Sequence, residues 1–224
     1  GGQWFGGAKF SFMFGLVQCL ASLFSAFNQN LLAFALGHLG WRELFNWAGV
    51  AGIAVFALAV LFLRNPAPVA GPRARQAMGR FLGDVLTGIL RVARIGHVWM
   101  AAGFGALVFG TLLAAGVVWA PKLMLVRGLT QDTANLAASV LWLGMAAGCV
   151  VFPWWSDAVR SRKLPALAGI ALQLAALLAL VHLPRLTSDV AVVSWFAFGF
   201  GAAAHMLAFS AAGDAVRLEQ IGTS

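Results

Sequence analysis

In a chain made mostly of apolar residues, one acidic side chain stands beside a knot of cations: Ser156-Asp157-Ala158-Val159-Arg160-Ser161-Arg162-Lys163, closing an apolar run that begins near Asn135. A carboxylate at the mouth of a membrane span is costly, and a passive anchor has no need of one. The cluster reads as a gate, in which Asp157, Arg160, Arg162 and Lys163 make and break ion pairs; the plainer reading is that Asp157 only solvates a helix end. A second group repeats at helical spacing inside an apolar run: Gln18, Ser22, Ser25 and Gln29, flanked by Asn28 and Asn30. Asn135, Ser139, Trp142, Ala146 and Cys149 follow the same rhythm. Lipid forces a polar side chain to face protein or water, so such stripes line a cavity or a helix contact. At ~1.5 Å rise per residue, two antiparallel helices would bring Gln29 level with Asn135 to Ser139, and Gln18 level with Cys149. For the serines, close packing and cavity lining are equal readings. His205 lies inside the last apolar run and could take part in proton coupling, although a hydrogen-bonded structural histidine is the commoner case. Trp142 could stack on a solute ring, with packing slightly favoured; His38, His97 and His182 sit at run ends and read as interfacial.

The elements that must position these residues follow from composition. Of 224 residues, 61% are hydrophobic and 10% charged, with a mean hydropathy of +0.87. That excludes a soluble domain, which could not solvate such a surface. The net charge of +8 is spread between apolar runs and forms no basic stripe, so anionic lipid headgroups are its expected partner and nucleic acid is not. Cys19 and Cys149 lie within apolar runs without metal-ligand spacing and read as packing residues. The chain opens on Gly1-Gly2-Gln3-Trp4-Phe5, already heading into a span, which is expected of a fragment.

A hydrocarbon core of about 30 Å needs roughly 20 helical residues. Six runs meet this: 12–37, 44–63, 96–119, 133–155, 164–183 and 190–212. Since lipid leaves no backbone group unpaired and no alternating barrel pattern is present, the fold class is all-α and polytopic. Eleven cations fall on one side of the predicted topology and four on the other, Arg42, Lys122, Arg127 and Arg185. The richer side stays cytoplasmic, which puts both chain ends, the 64–95 connection and the 156–163 loop there. Trp4, Trp41, Trp99, Trp119, Trp154 and Trp155 mark span ends, and Trp142 sits mid-span. The connection opens with Pro66, Pro68, Gly71 and Pro72, then turns periodic from Met78 to Ala93, predicting an amphipathic helix on the membrane surface. It is the one expected domain boundary: 1–63 with two spans, 64–95 as linker, 96–224 with four spans.

The turn Gly40-Trp41-Arg42-Glu43-Leu44-Phe45, between a long span and one ending Leu63-Arg64-Asn65-Pro66, resembles that between spans five and six of the major facilitator superfamily of secondary transporters. Trp119-Ala120-Pro121, Gly128-Leu129-Thr130, Ser156-Asp157 with Arg162-Lys163, and Gly222-Thr223-Ser224 follow in the family's order. The resemblance covers the whole chain and implies spans five to ten of twelve. The loop departs from the family signature: Pro153 stands at the first glycine, Ala158 at the arginine after Asp157, and Arg160 at the second glycine, so Asp157, Arg162 and Lys163 alone carry over. In the family this loop shuts the cytoplasmic side against the opposite half, which implies a neighbour near Lys9 to Phe12. The resemblance also makes the third run, with Gly103, Gly105, Gly110 and Gly116, a bendable cavity-lining helix, and has the first and fourth runs slide past one another.

The function this implies is secondary active transport of a small solute by alternating access. The Trp119 to Lys163 stretch is closest in flavour to organic-anion and sugar-phosphate members, yet the six runs supply no interior cation for an anion. Symport, antiport and uniport stay open, as does a coupling proton or ion. The protein is expected in the plasma membrane, of bacterial inner-membrane type, monomeric when complete, with no cofactor and no metal. The competing class is a six-span intramembrane Ser/His hydrolase; against it, no Gly-x-Ser-Gly element appears and no acid lies within a run to orient His205. A channel filter and a phosphate-binding loop are also absent from the sequence.

Overall fold

Backbone amides in hydrocarbon must bond within their own segment, so the apolar runs are driven into helices. The computed structural model describes residues 7–63 and 78–215, apart from the side chains of 7–12, 33, 78–82 and 84; every regular element among them is helical. In order these are α1 (Gly7–His38), α2 (Trp41–Phe62), α3 (Met78–Val92), α4 (Gly96–Thr111), a π-helical segment (Leu112–Trp119), α5 (Ala120–Val126), α6 (Gln131–Ala158), α7 (Lys163–His182), α8 (Ser188–Ala202), a 3-10 turn (Ala203–His205) and α9 (Met206–Asp214). Six stretches are long and apolar enough to cross a bilayer: Met13–His38, Trp41–Phe62, Gly96–Val126, Gln131–Ala158, Lys163–His182 and Ser188–Asp214. The third and sixth spans are thus built from consecutive helical pieces.

The third span reaches Val126, well past the expected end at 119. Pro121 stands in the first turn of α5, where its fixed φ suits the helix, and the chain stays helical through Trp119-Ala120-Pro121. Likewise α6 continues to Ala158 through a buried Pro153. Thr130 and Thr187 cap the fourth and sixth spans, each hydroxyl accepting the N–H three residues on, Thr133 at 3.3 Å and Val190 at 3.4 Å. The periodic part of the connection forms α3, whose Val85, Leu86, Ile89 and Leu90 are exposed; residues 64–77 lie outside the described residues.

The core lies between α6 and α8, which run parallel. A Cβ on Gly144 would strike the backbone of Phe196, one on Gly148 the backbone of Phe200, and one on Gly199 the backbone of Leu141. Glycine at these positions lets the two backbones touch, the close approach that binds helices where apolar burial gives no drive. Trp195, Phe198, Phe152 and Leu141 fill the space around the contact. On the far side α7 meets the same span, with Gly201 against Gly169 and Gln173. The first span crosses α6 antiparallel, Gly15 lying on the Cys149 carbonyl and Pro153 and Asn30 reaching Ser139. In contrast, α2 buries no residue.

Candidate functional site

The charged loop is organised by Arg162. Its Nη1 donates to Asp157 Oδ1 at 2.6 Å and to Ser156 Oγ at 3.1 Å, and its Nε to Asp214 Oδ2 at 3.2 Å. Ser156 is buried and passes its own proton to the Ser161 carbonyl at 3.0 Å. Partial burial disfavours the guanidinium charge, but the bonds to Asp157 and Asp214 outweigh it, so Arg162 is held above its ordinary range. Asp214 ends the sixth span, 52 residues away in sequence, so one side chain ties the loop to the neighbouring helix end. Lys163 and Arg160 are exposed. Arg160 adopts φ 48°, and the helix closes around it: Arg160 N–H bonds the Asp157 carbonyl at 3.3 Å and Ser161 N–H the Ser156 carbonyl at 3.1 Å. This pair of bonds is the helix-ending motif that calls for a left-handed residue, most often glycine. The neighbour implied at Lys9 to Phe12 lies outside the described side chains.

The contact stripe of the first span runs Gly15, Cys19, Ser22, Ala26 and Asn30. It shares Ser22 with the polar stripe. Gln18, Ser25 and Gln29 flank it half-buried, and Asn28 is exposed. Close approach selects the small side chains, rotating the polar stripe to the edge of the interface. Ser25 turns its hydroxyl back to the Ala21 carbonyl at 2.9 Å. Ser22 is fully buried, and its hydroxyl meets no partner among the described residues. The bond across the spans comes from Asn30, whose Nδ2 donates to Ser139 Oγ at 2.8 Å; that hydroxyl in turn donates to the Asn135 carbonyl at 3.2 Å. The Asn135 side chain accepts from Gln131 at 3.1 Å, and Trp142 packs half-buried on the core.

His205 and Gln18, far apart in sequence, face one cavity of about 380 Å³ between the first, third and sixth spans. His205 Nδ1 lies 2.9 Å from the Ala202 carbonyl, and its ring stacks on Phe109 with centroids 4.8 Å apart. It sits in the 3-10 turn that interrupts the sixth span, and Phe109 stands one turn before the π-helical segment, so both breaks border the cavity.

Three side chains that tie the spans together escaped sequence reasoning. Asp214 showed no signal, since its partner is distant in the chain. Gln173 carried one: a polar residue midway along the fifth span, buried, donating to the Val108 carbonyl at 3.1 Å. Trp195, two turns into the sixth span, is a further buried indole, its N–H on Met124 Sδ at 3.4 Å near the end of the third span.

No curated protein and no solved structure matches the chain. The family model of the Major Facilitator Superfamily matches residues 2–224. A membrane-embedded, multi-pass helical chain of secondary-transporter type is what that match and the six apolar helices describe together, and the chain belongs to the Major Facilitator Superfamily.

Proposed function

We propose that the six spans are spans five to ten of a twelve-span transporter that moves a small solute by alternating access, with the first and fourth spans sliding across the seam between two bundles. The observation that carries this is the contact of those two spans, small residues on the Cys149 side and the Asn30–Ser139 hydrogen bond at the other end. Such a contact holds one register and can release another, because among the described residues one side-chain bond has to be exchanged. The division at 1–63, 64–95 and 96–224 puts the two spans in different bundles, joined by α3 with its apolar face in the cytoplasmic membrane surface.

In this reading the loop of Asp157, Arg160, Arg162 and Lys163 closes the cytoplasmic side, and the chain sits in the bacterial inner membrane with both ends inside. The stripe of Gln18, Ser22, Ser25, Asn28, Gln29, Asn135, Ser139 and Trp142 changes neighbours as the spans slide, which gives the Ser22 hydroxyl a partner in the alternate register. Transport of an organic or phosphorylated anion would need cations from beyond the cavity lining, whose described residues contain none. The test is a cysteine pair, Asn30→Cys with Ser139→Cys, in the complete protein lacking Cys19 and Cys149. A crosslink that forms readily and is slowed or hastened when the membrane potential or pH gradient is reversed supports sliding. A pair that never crosslinks under any gradient, or crosslinks at one unchanging rate, sinks it.

A further inference from the structure

The cavity between the first, third and sixth spans is lined by three phenyl rings, Phe14, Phe109 and Phe209, and its polar groups are Gln18 and His205; no charged side chain lines it among the described residues. The rings are arranged as a corner. Phe14 meets Phe209 edge-on at 5.0 Å, His205 stacks on Phe109, and His205 meets Phe209 edge-on at 6.3 Å. A carbonyl oxygen can only accept, so the contact with Ala202 assigns the proton to His205 Nδ1. In the neutral ring, Nε2 then keeps its lone pair, and no described residue donates to it. An acceptor held still by its own backbone bond, walled by aromatic faces, selects for a molecule with a flat apolar body and one donor. A carboxylate or phosphate would meet a lone pair and no cation, and an ammonium would meet no carboxylate.

We infer that this cavity binds an uncharged aromatic solute through one ring N–H or O–H donated to His205 Nε2, with Gln18 meeting the solute's second polar group. The volume of about 380 Å³ lies at the lower end of small-molecule sites, which favours one or two fused rings over a larger body. The inference rests on the transport reading only for regarding the bound molecule as cargo.

The test uses the full chain in lipid nanodiscs and the probes indole, 1-methylindole and benzoate, with equilibrium binding followed by tritiated indole and competition. Indole should bind about tenfold more tightly than 1-methylindole, which lacks the donor, and benzoate should not compete. His205→Phe keeps the ring stack and removes the acceptor; it should erase the difference between the two indoles while leaving 1-methylindole within about twofold. Ala106→Phe, which fills the cavity, should weaken both. Equal binding of indole and 1-methylindole by the unmodified chain overturns the inference without any variant, as does competition by benzoate or full indole binding after Ala106→Phe. If the binding pattern holds while the Asn30–Ser139 pair never crosslinks, the alternating-access reading fails and the site stands; the reverse outcome removes the site alone.

Discussion

Arg160 closes the end of α6 in a backbone conformation that costs an L-residue about 1–2 kcal/mol. The two helix-ending bonds hold that conformation, but the Arg160 side chain is exposed and makes no ion pair among the described residues that would favour arginine over glycine there. Arg160→Gly removes the strain but frees the unfolded chain, which returns part of the gain. The net expectation is stabilisation by about 0.5–1 kcal/mol, read as a rise in melting temperature in detergent; a fall would mean the Arg160 side chain has a partner in the folded protein. The sequence marked this position as a departure from a glycine pattern, but the positive φ follows from the two helix-ending bonds, which no composition reveals. Arg162 presents the opposite case. Its pairs with Asp157 and Asp214 are part-exposed, with Asp214 62% exposed, so each contributes at most about 1 kcal/mol. Arg162→Ala should destabilise by about 1–2 kcal/mol, more at low than at high salt, because it also strips a bond from buried Ser156. Since folding raises the guanidinium above its ordinary value, its contribution is complete below that value and is lost only when strongly alkaline pH passes the folded one. Around neutrality the guanidinium therefore adds no pH dependence to the difference between the native protein and Arg162→Ala.

The number and place of the six spans were legible because a run of apolar residues must be about a bilayer long, whatever it packs against. The internal breaks were not. The segment Leu112–Trp119 is uniformly apolar, and whether its amides reach back four or five residues depends on what holds the neighbouring carbonyls. Gln173 is one such hold: it bonds the Val108 carbonyl, which also takes the Leu112 N–H at the entry to the π-helical segment. Gln173→Leu keeps the bulk and loses the bond, so it should cost about 1 kcal/mol and relax the junction. Steady-state unfolding gives the first, and faster labelling of a Gly110→Cys variant next to the junction gives the second. Gly144 and Gly199 test the α6–α8 contact more severely. A methyl group on either meets backbone atoms of the facing helix, which cannot rotate away. Gly144→Ala or Gly199→Ala should each cost about 2–3 kcal/mol, whereas Gly103→Ala on the third span, with open space around it, should change stability by less than about 0.5 kcal/mol. Equal effects at all three would mean that α6 and α8 do not touch.

Across the whole molecule, burial is divided unevenly among the spans. The fourth and sixth are mostly covered by their neighbours, while Trp41–Phe62 has no buried residue at all. Charge counting gives an expectation for its direction across the membrane but says nothing about which helix it touches, because lipid and a partner helix accept the same apolar side chains. Its Gly49 and Gly52 have nothing within 4 Å, yet Ala48 and Gly52 stand four apart, the small-residue spacing that a close helix contact uses. If the chain forms part of two bundles, as proposed, that face is reserved for a span of the first bundle. Gly49→Leu and Gly52→Leu should then leave the stability of this 224-residue chain within about 0.5 kcal/mol, since the added atoms enter lipid. In a protein carrying four preceding spans the same changes should cost about 2–3 kcal/mol through overpacking. Comparing the two backgrounds separates the alternatives, because a face that only ever meets lipid tolerates leucine in both. Neutral behaviour in both would leave the second span peripheral, and the seam between bundles would then have to be formed by the first span alone.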